Sequence, residues 1–121
     1  LCLGVWVRAG TRDEKPSEVG VSHFLEHMLF KGTVRRSAFE ISRDIEQVGG
    51  EFNAFTTRES TCFHMTLLRR DVDLGGEILS DILLESAFDR QEIERERRVI
   101  LKEISMTADS PEEFAFDALL E

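Results

Sequence analysis

The chain has 121 residues, of which 41% are hydrophobic and 32% are charged, and its formal net charge at pH 7 is −9. This balance is typical of one soluble globular domain, or part of one, and excludes a disordered chain. The acidic charge argues against a nucleic-acid partner, and no apolar run approaches the roughly 20 residues that a membrane-spanning helix needs. Cys2 and Cys62 are too few and too distant for a disulfide framework, which indicates two reduced cysteines.

The first segment, Leu1 to Val7, is apolar on both faces, which predicts a strand in the centre of a sheet. A polar loop from Gly10 to Pro16 follows, and the next helix ends near Gly32. The chain starts within the strand and ends in apolar residues. We therefore expect a piece of a longer protein, with any leader outside it.

The helix after this loop carries the motif His23-Phe24-Leu25-Glu26-His27. At about 100° per residue its two histidines and its glutamate share an arc of roughly 100°, opposite the apolar stripe. Two histidines at i and i+4 can bind one tetrahedral Zn²⁺, and the carboxylate before the second can activate a water. This order, H-x-x-E-H, is the inverzincin signature. The alternative is two surface histidines and a solvated glutamate, although a shuffled chain would hold only roughly 0.01 such matches.

The middle of the chain predicts a helix, a hairpin and a second helix. Ser37 and Glu40 have capping-box spacing, and Gly49 ends the helix that they begin. Residues 51–57 and 60–68 have strand composition and predict a hairpin beside the first strand. Asp71 can cap the following helix, which we interpret as a core-covering element without chemistry. The predicted fold class is α+β, an antiparallel-rich mixed sheet covered by helices.

A fourth helix is predicted from Gln91 to about Met106, opened by the capping-box pair Asp89 and Glu92. Glu96 and Glu103, seven residues apart, fall within its apolar stripe.

An unpaired carboxylate on a buried face is costly, so these two acids should be paired, neutralised or bound to a cation such as zinc. The alternatives are partly exposed acids at the border of the stripe, or acids paired with an arginine such as Arg58. Beyond them, Ser110-Pro111 predicts a last helix.

Four separated motifs occur in order, at residues 23–33, 49–54, 57–61 and 94–103. Together they resemble the pitrilysin/insulinase (M16) metallopeptidases, in particular the branch of mitochondrial processing peptidase β subunits and their bacterial relatives. The resemblance implies that His23, His27 and Glu103 bind one Zn²⁺. It also implies that Glu26 is the catalytic base and that Glu96 is a supporting acid in catalysis.

The resemblance further implies that a peptide or unfolded polypeptide substrate adds as a strand beside Asn53 and Ala54. The residues alone would place Asn53 in a turn or at a strand end. Family members have four repeated α/β domains, and residues 1–121 correspond to most of the first, a partial N-terminal catalytic M16 domain. The implied partners are the remaining M16 domains or a second subunit, without which we expect no activity.

The predicted function is therefore a zinc endopeptidase that hydrolyses peptides or presequences with a metal-activated water. One alternative is a non-catalytic M16-like core or partner subunit, although such relatives usually lose part of H-x-x-E-H. Another is a closed structural zinc site, which is disfavoured because such sites are commonly Cys-rich and have four protein ligands. For localisation we favour the bacterial cytoplasm or periplasm over the mitochondrial matrix.

Overall fold

The structure is a computed structural model that describes residues 1–108. Its strands are β1 (Cys2–Val7), β2 (Glu51–Thr56) and β3 (Thr61–Thr66). Its helices are α1 (Val21–Leu29), α2 (Ala38–Gln47), α3 (Val72–Leu84) and α4 (Arg90–Ala108). The predicted α+β class is confirmed. The helix predicted after Ser110 lies outside the described residues. No helix within residues 1–108 combines the length and the apolar character needed to cross a bilayer.

The three strands form one antiparallel sheet in the order β1-β3-β2. The predicted hairpin is confirmed, and its turn is closed by the Thr57 N–H, which donates to the Ser60 carbonyl over 2.8 Å. In an antiparallel pair of strands, residue pairs that exchange backbone hydrogen bonds alternate with pairs that do not. Because Thr57 and Ser60 are hydrogen-bonded, the type of every residue pair along β2 is fixed. Phe52, Ala54 and Thr56 therefore direct their backbone N–H and C=O groups away from β3, toward the free edge.

The central position predicted for β1 is wrong within the described part of the sheet. β1 pairs with β3 alone, and its Trp6 is 64% exposed. On the outer face of β1 the Trp6 indole lies across Gly4, where a Cβ would come within 2.7 Å of the ring. Among residues 1–108 the central strand is β3, whose apolar residues are buried and whose pairing with β2 follows from the hairpin.

The core lies between the sheet and helices α1, α2 and α3. It consists of Leu29, Ile41, Ile45, Phe63, Met65, Leu67, Ile78, Leu79 and Ile82. The Ser37 and Glu40 capping box at the start of α2 is confirmed. Asp71 does precede α3, but it makes no side-chain capping bond, so that predicted cap is wrong.

A buried carboxylate joins α3 to the segment that follows α1. Asp81 is fully buried and accepts hydrogen bonds from Thr33, Arg35 and Arg36 at 2.8–2.9 Å. Burial raises the pKa of Asp81, but the three donors outweigh it and hold that pKa below its ordinary value. The sequence analysis missed this network, which fixes the end of the α1 region against the core.

Candidate metal centre

Helix α1 carries the H-x-x-E-H motif, and a loop residue anchors its start. The Glu14 carboxylate accepts the backbone N–H groups of Gly20 and Ser22, each over 2.8 Å. Gly20 precedes the helix with φ +91°, a conformation that favours glycine. Met28 and Leu29 are buried on the core side, so the opposite side of α1 presents the polar residues of the motif.

Helix α4 packs against α1 and brings two acids to this polar side. Asp89 caps α4 by accepting the backbone N–H groups of Gln91 and Glu92, which confirms the predicted cap. The Glu92 carboxylate pairs with Arg95 instead of completing a capping box. Glu96 and Glu103 lie about two turns apart on α4. They therefore reach different atoms of the histidine pair.

Three donor atoms converge between the two helices. The Nε2 atoms of His23 and His27 are 2.9 Å apart, and Glu103 Oε2 lies 3.8 Å from the first and 3.7 Å from the second. Tetrahedral zinc with ligand bonds of about 2.0–2.1 Å separates its ligand atoms by about 3.3–3.4 Å. The three separations bracket this value, and neutral imidazoles with a carboxylate are a donor set that zinc accepts. These three residues therefore fit a zinc ion.

Glu96 lies behind this cluster and is 4% exposed. Its Oε1 is 2.8 Å from His27 Nδ1, and its Oε2 is 2.7 Å from Lys31 Nζ. Burial raises the pKa of Glu96, but the hydrogen bonds from Lys31 and His27 outweigh it and lower that pKa. An ionised carboxylate only accepts hydrogen bonds, so His27 Nδ1 donates to Glu96 Oε1.

Glu26 points to the sheet side of the same region, where its Oε2 accepts a hydrogen bond from Thr56 Oγ1. A cleft of about 210 Å³ opens between α1, β2 and α4. Its walls are Glu26, His27, Phe30, Lys31, Asn53, Ala54 and Glu96.

The cleft also exposes the free edge of β2. Asn53 lies within this strand, so the turn position that the residues alone suggested is wrong. Its Oδ1 accepts the Ala54 N–H over 2.9 Å, which agrees with the outward direction of that group. The structure thus places Asn53 and Ala54 beside Glu26 and His27, at a strand edge that pairs with no other strand among residues 1–108.

The sequence left two alternatives for Glu96 and Glu103, an acid paired with a cation and a partly exposed acid at the border of the stripe. Each alternative describes one of these two residues. Glu96 does have a cationic partner, but this partner is Lys31 and not an arginine such as Arg58. The Glu103 side chain is 45% exposed, as expected of an acid at the border of the stripe. Sequence reasoning missed Lys31 and Thr56. The one available signal was the position of Lys31, four residues after His27.

The protein-family model described as "Insulinase (Peptidase family M16)" matches residues 2–121. The chain belongs to peptidase family M16. One M16 relative, "Uncharacterized zinc protease YmxG" of Bacillus subtilis, is 40% identical over 119 residues, which are 98% of this chain and 29% of the relative. "Mitochondrial-processing peptidase subunit beta" of Mus musculus is 43% identical over 117 residues, 97% of this chain and 24% of the relative.

A solved structure shares the M16 domain seen in this chain. The crystal structure of a protease from Helicobacter pylori superimposes with a TM-score of 0.90 at 26% identity, covering 93% of this chain and 28% of that one. The chain therefore spans less than a third of the length of these relatives. Membership of M16, with relatives named as zinc proteases, supports a peptidase function in general.

Proposed function

We propose that this chain is the N-terminal catalytic part of a zinc-dependent endopeptidase that cleaves peptides or presequences. One observation carries the proposal: Nε2 of His23, Nε2 of His27 and Oε2 of Glu103 lie within 4.8 Å of one another. Three protein ligands are typical of a catalytic zinc centre, whereas a closed structural site commonly has four.

The chain's own residues have separate roles in this mechanism. His23, His27 and Glu103 would hold Zn²⁺, which when bound supplies a Lewis acid for the scissile carbonyl and lowers the pKa of water toward 7. Glu26 takes the proton of the attacking water and later transfers it to the nitrogen of the leaving amine. Glu96 holds the His27 ring in the tautomer that directs Nε2 to the donor cluster.

The substrate proposed for this site is an extended peptide or unfolded polypeptide. At the outer edge of β2 the Ala54 N–H is held by Asn53 Oδ1, so a peptide that pairs there as an added strand would bond the Ala54 carbonyl and displace Asn53 Oδ1 from the N–H. Such pairing binds the backbone without demanding one side chain, and it lays the scissile bond along the cleft that contains Glu26. Because one relative is named as a β subunit, we include further M16 domains or a second subunit among the partners.

The test uses the complete protein and a fluorogenic peptide. Glu26→Gln should abolish cleavage while leaving zinc content unchanged, because the carboxylate contacts no atom of the donor set. Glu94→Gln, an exposed acid on α4, is the matched control and should keep activity. Retained turnover in Glu26→Gln would contradict the proposed base. If the wild-type protein cleaves no peptide either with or without chelator, a non-catalytic subunit would instead be favoured.

A further inference from the structure

We propose that Lys31 is a positioning residue of the metal centre, which fixes His27 by clamping the carboxylate between them. The inference rests on the proposed function in one respect, that the ion held by the cluster is zinc. It assigns a role to a side chain outside both the H-x-x-E-H motif and the donor cluster.

The clamp has two contacts on opposite oxygens of Glu96. Lys31 Nζ lies 2.7 Å from Oε2, and His27 Nδ1 lies 2.8 Å from Oε1. With its second oxygen held by Lys31, the carboxylate can turn only by breaking a charge-assisted bond, which is among the stronger hydrogen bonds in proteins. The orientation of the His27 ring is therefore coupled to the position of Lys31.

Charge explains why a lysine is needed here. The Glu96 side chain is 5% exposed, and a carboxylate removed from water to this degree requires a compensating charge. His27 as a neutral ligand supplies a hydrogen bond but no charge. Within residues 1–108, Lys31 is the lysine or arginine that pairs with Glu96.

The backbone holds the start of the Lys31 side chain in place. Lys31 lies two residues after the end of α1, and its N–H donates to the Met28 carbonyl over 3.0 Å. Gly32 follows with φ +112°, where a Cβ would also approach the Arg36 carbonyl to 3.2 Å. This turn ends the helix so that the Lys31 side chain reaches Glu96 on α4.

If Lys31 positions His27, loss of Lys31 should weaken metal binding and turnover and leave substrate affinity largely unchanged. Lys31 also lines the cleft, yet its ammonium is committed to Glu96, so it is not required to bind the peptide. Loss of an outer partner of a metal-binding histidine typically weakens metal affinity by about 10–100-fold. We expect Lys31→Met to fall in this range.

The experiment measures Zn²⁺ affinity of the complete protein by competition with a chromogenic chelator, together with kcat and KM. Lys31→Met should bind Zn²⁺ about 10–100-fold more weakly and lower kcat with little change in KM. Lys31→Arg, which keeps the charge, should recover most of the affinity. Lys102→Met, a lysine exposed on α4, is the matched control and should bind Zn²⁺ like the wild type.

A double-mutant comparison separates the clamp from a general structural effect. Glu96→Gln should weaken Zn²⁺ binding as Lys31→Met does, and the double variant should be no weaker than Glu96→Gln alone. Three results would each overturn the inference. They are additive losses of Zn²⁺ affinity in the double variant, equal losses of affinity in Lys31→Arg and Lys31→Met, and wild-type affinity in Lys31→Met. If methionine unfolds the protein, Lys31→Gln replaces it under the same criteria. Absence of Zn²⁺ binding by the wild type would overturn the proposed function itself.

Discussion

Thr56 donates a hydrogen bond to Glu26, and this bond joins the free edge of β2 to the helix that carries both histidines. Thr56 Oγ1 contacts Oε2 of this carboxylate, and Glu26 also lines the cleft. The strand proposed to align the substrate thus also orients the proposed base.

Replacement of Thr56 by valine keeps the shape of the side chain and removes its hydroxyl. A hydrogen bond to a charged group contributes about 1.5–3 kcal/mol, so we expect kcat to fall by about 10–100-fold with unchanged zinc content. Steady-state kinetics of Thr56→Val and Thr56→Ser measure this, and serine should retain most of the activity. Equal turnover of the valine variant and the wild type would remove the positioning role of Thr56.

Glu103 tests the donor cluster directly. Its side chain is 45% exposed, so its removal should change zinc binding far more than folding. We expect Glu103→Ala to lose bound zinc, while the melting temperature of the zinc-free protein changes little. Metal analysis after dialysis and thermal unfolding with excess chelator give the two measurements. Full zinc occupancy in this variant would show that the third ligand lies elsewhere.

The sequence predicted the candidate site better than its surroundings. Helical periodicity alone placed His23, Glu26 and His27 on one face, and the same arithmetic singled out Glu96 and Glu103 on a helix about 70 residues away. Periodicity describes one element at a time, so it could show that an acid needs a partner without showing which partner. Lys31 meets Glu96 only because α1 packs on α4, which no local pattern encodes.

The predicted central position of β1 was wrong within the described sheet for a related reason. Apolar residues on both faces indicate burial of a strand, but they do not state what covers it. In β1 one face packs on the core through Leu3, and the other is partly covered by Trp6 of the same strand. The hairpin, by contrast, was predictable because its two strands pair through a short turn at residues 57–60.

Asp81 predicts a specific loss of stability in acid. Its pKa is lowered in the folded state by Thr33, Arg36 and Arg35, so folding favours the ionised form despite the burial. The stabilisation is therefore complete above the unfolded pKa of about 3.9 and is lost as pH falls through the lower folded pKa. Asp81→Asn should be less stable than the wild type at neutral pH, by up to about 3–5 kcal/mol, since it leaves two arginines with a neutral partner.

Urea unfolding across the acidic range measures this pH dependence. The difference in free energy of unfolding between the wild type and Asp81→Asn should shrink steadily below about pH 4. Asp73→Asn, on the exposed side of α3, is the matched control and should follow the wild type. A difference that stays constant with pH would mean that Asp81 is not ionised in the folded protein.

Two adjacent glycines in α3 give opposite predictions for the same substitution. A Cβ on Gly75 would lie 2.5 Å from Leu67 Cδ2 and 3.3 Å from Met65 Sδ, whereas a Cβ on Gly76 would meet nothing within 4 Å. Leu67 and Met65 are buried core residues that have little room to move. Gly75→Ala should therefore destabilise the protein by about 1–3 kcal/mol through overpacking. Gly76→Ala should stabilise it by about 0.5–1 kcal/mol, because alanine is the better helix former. Chemical unfolding of both variants measures the change in the free energy of unfolding. Equal effects of the two substitutions would contradict the close packing of α3 on β3 and on the residues that follow β3.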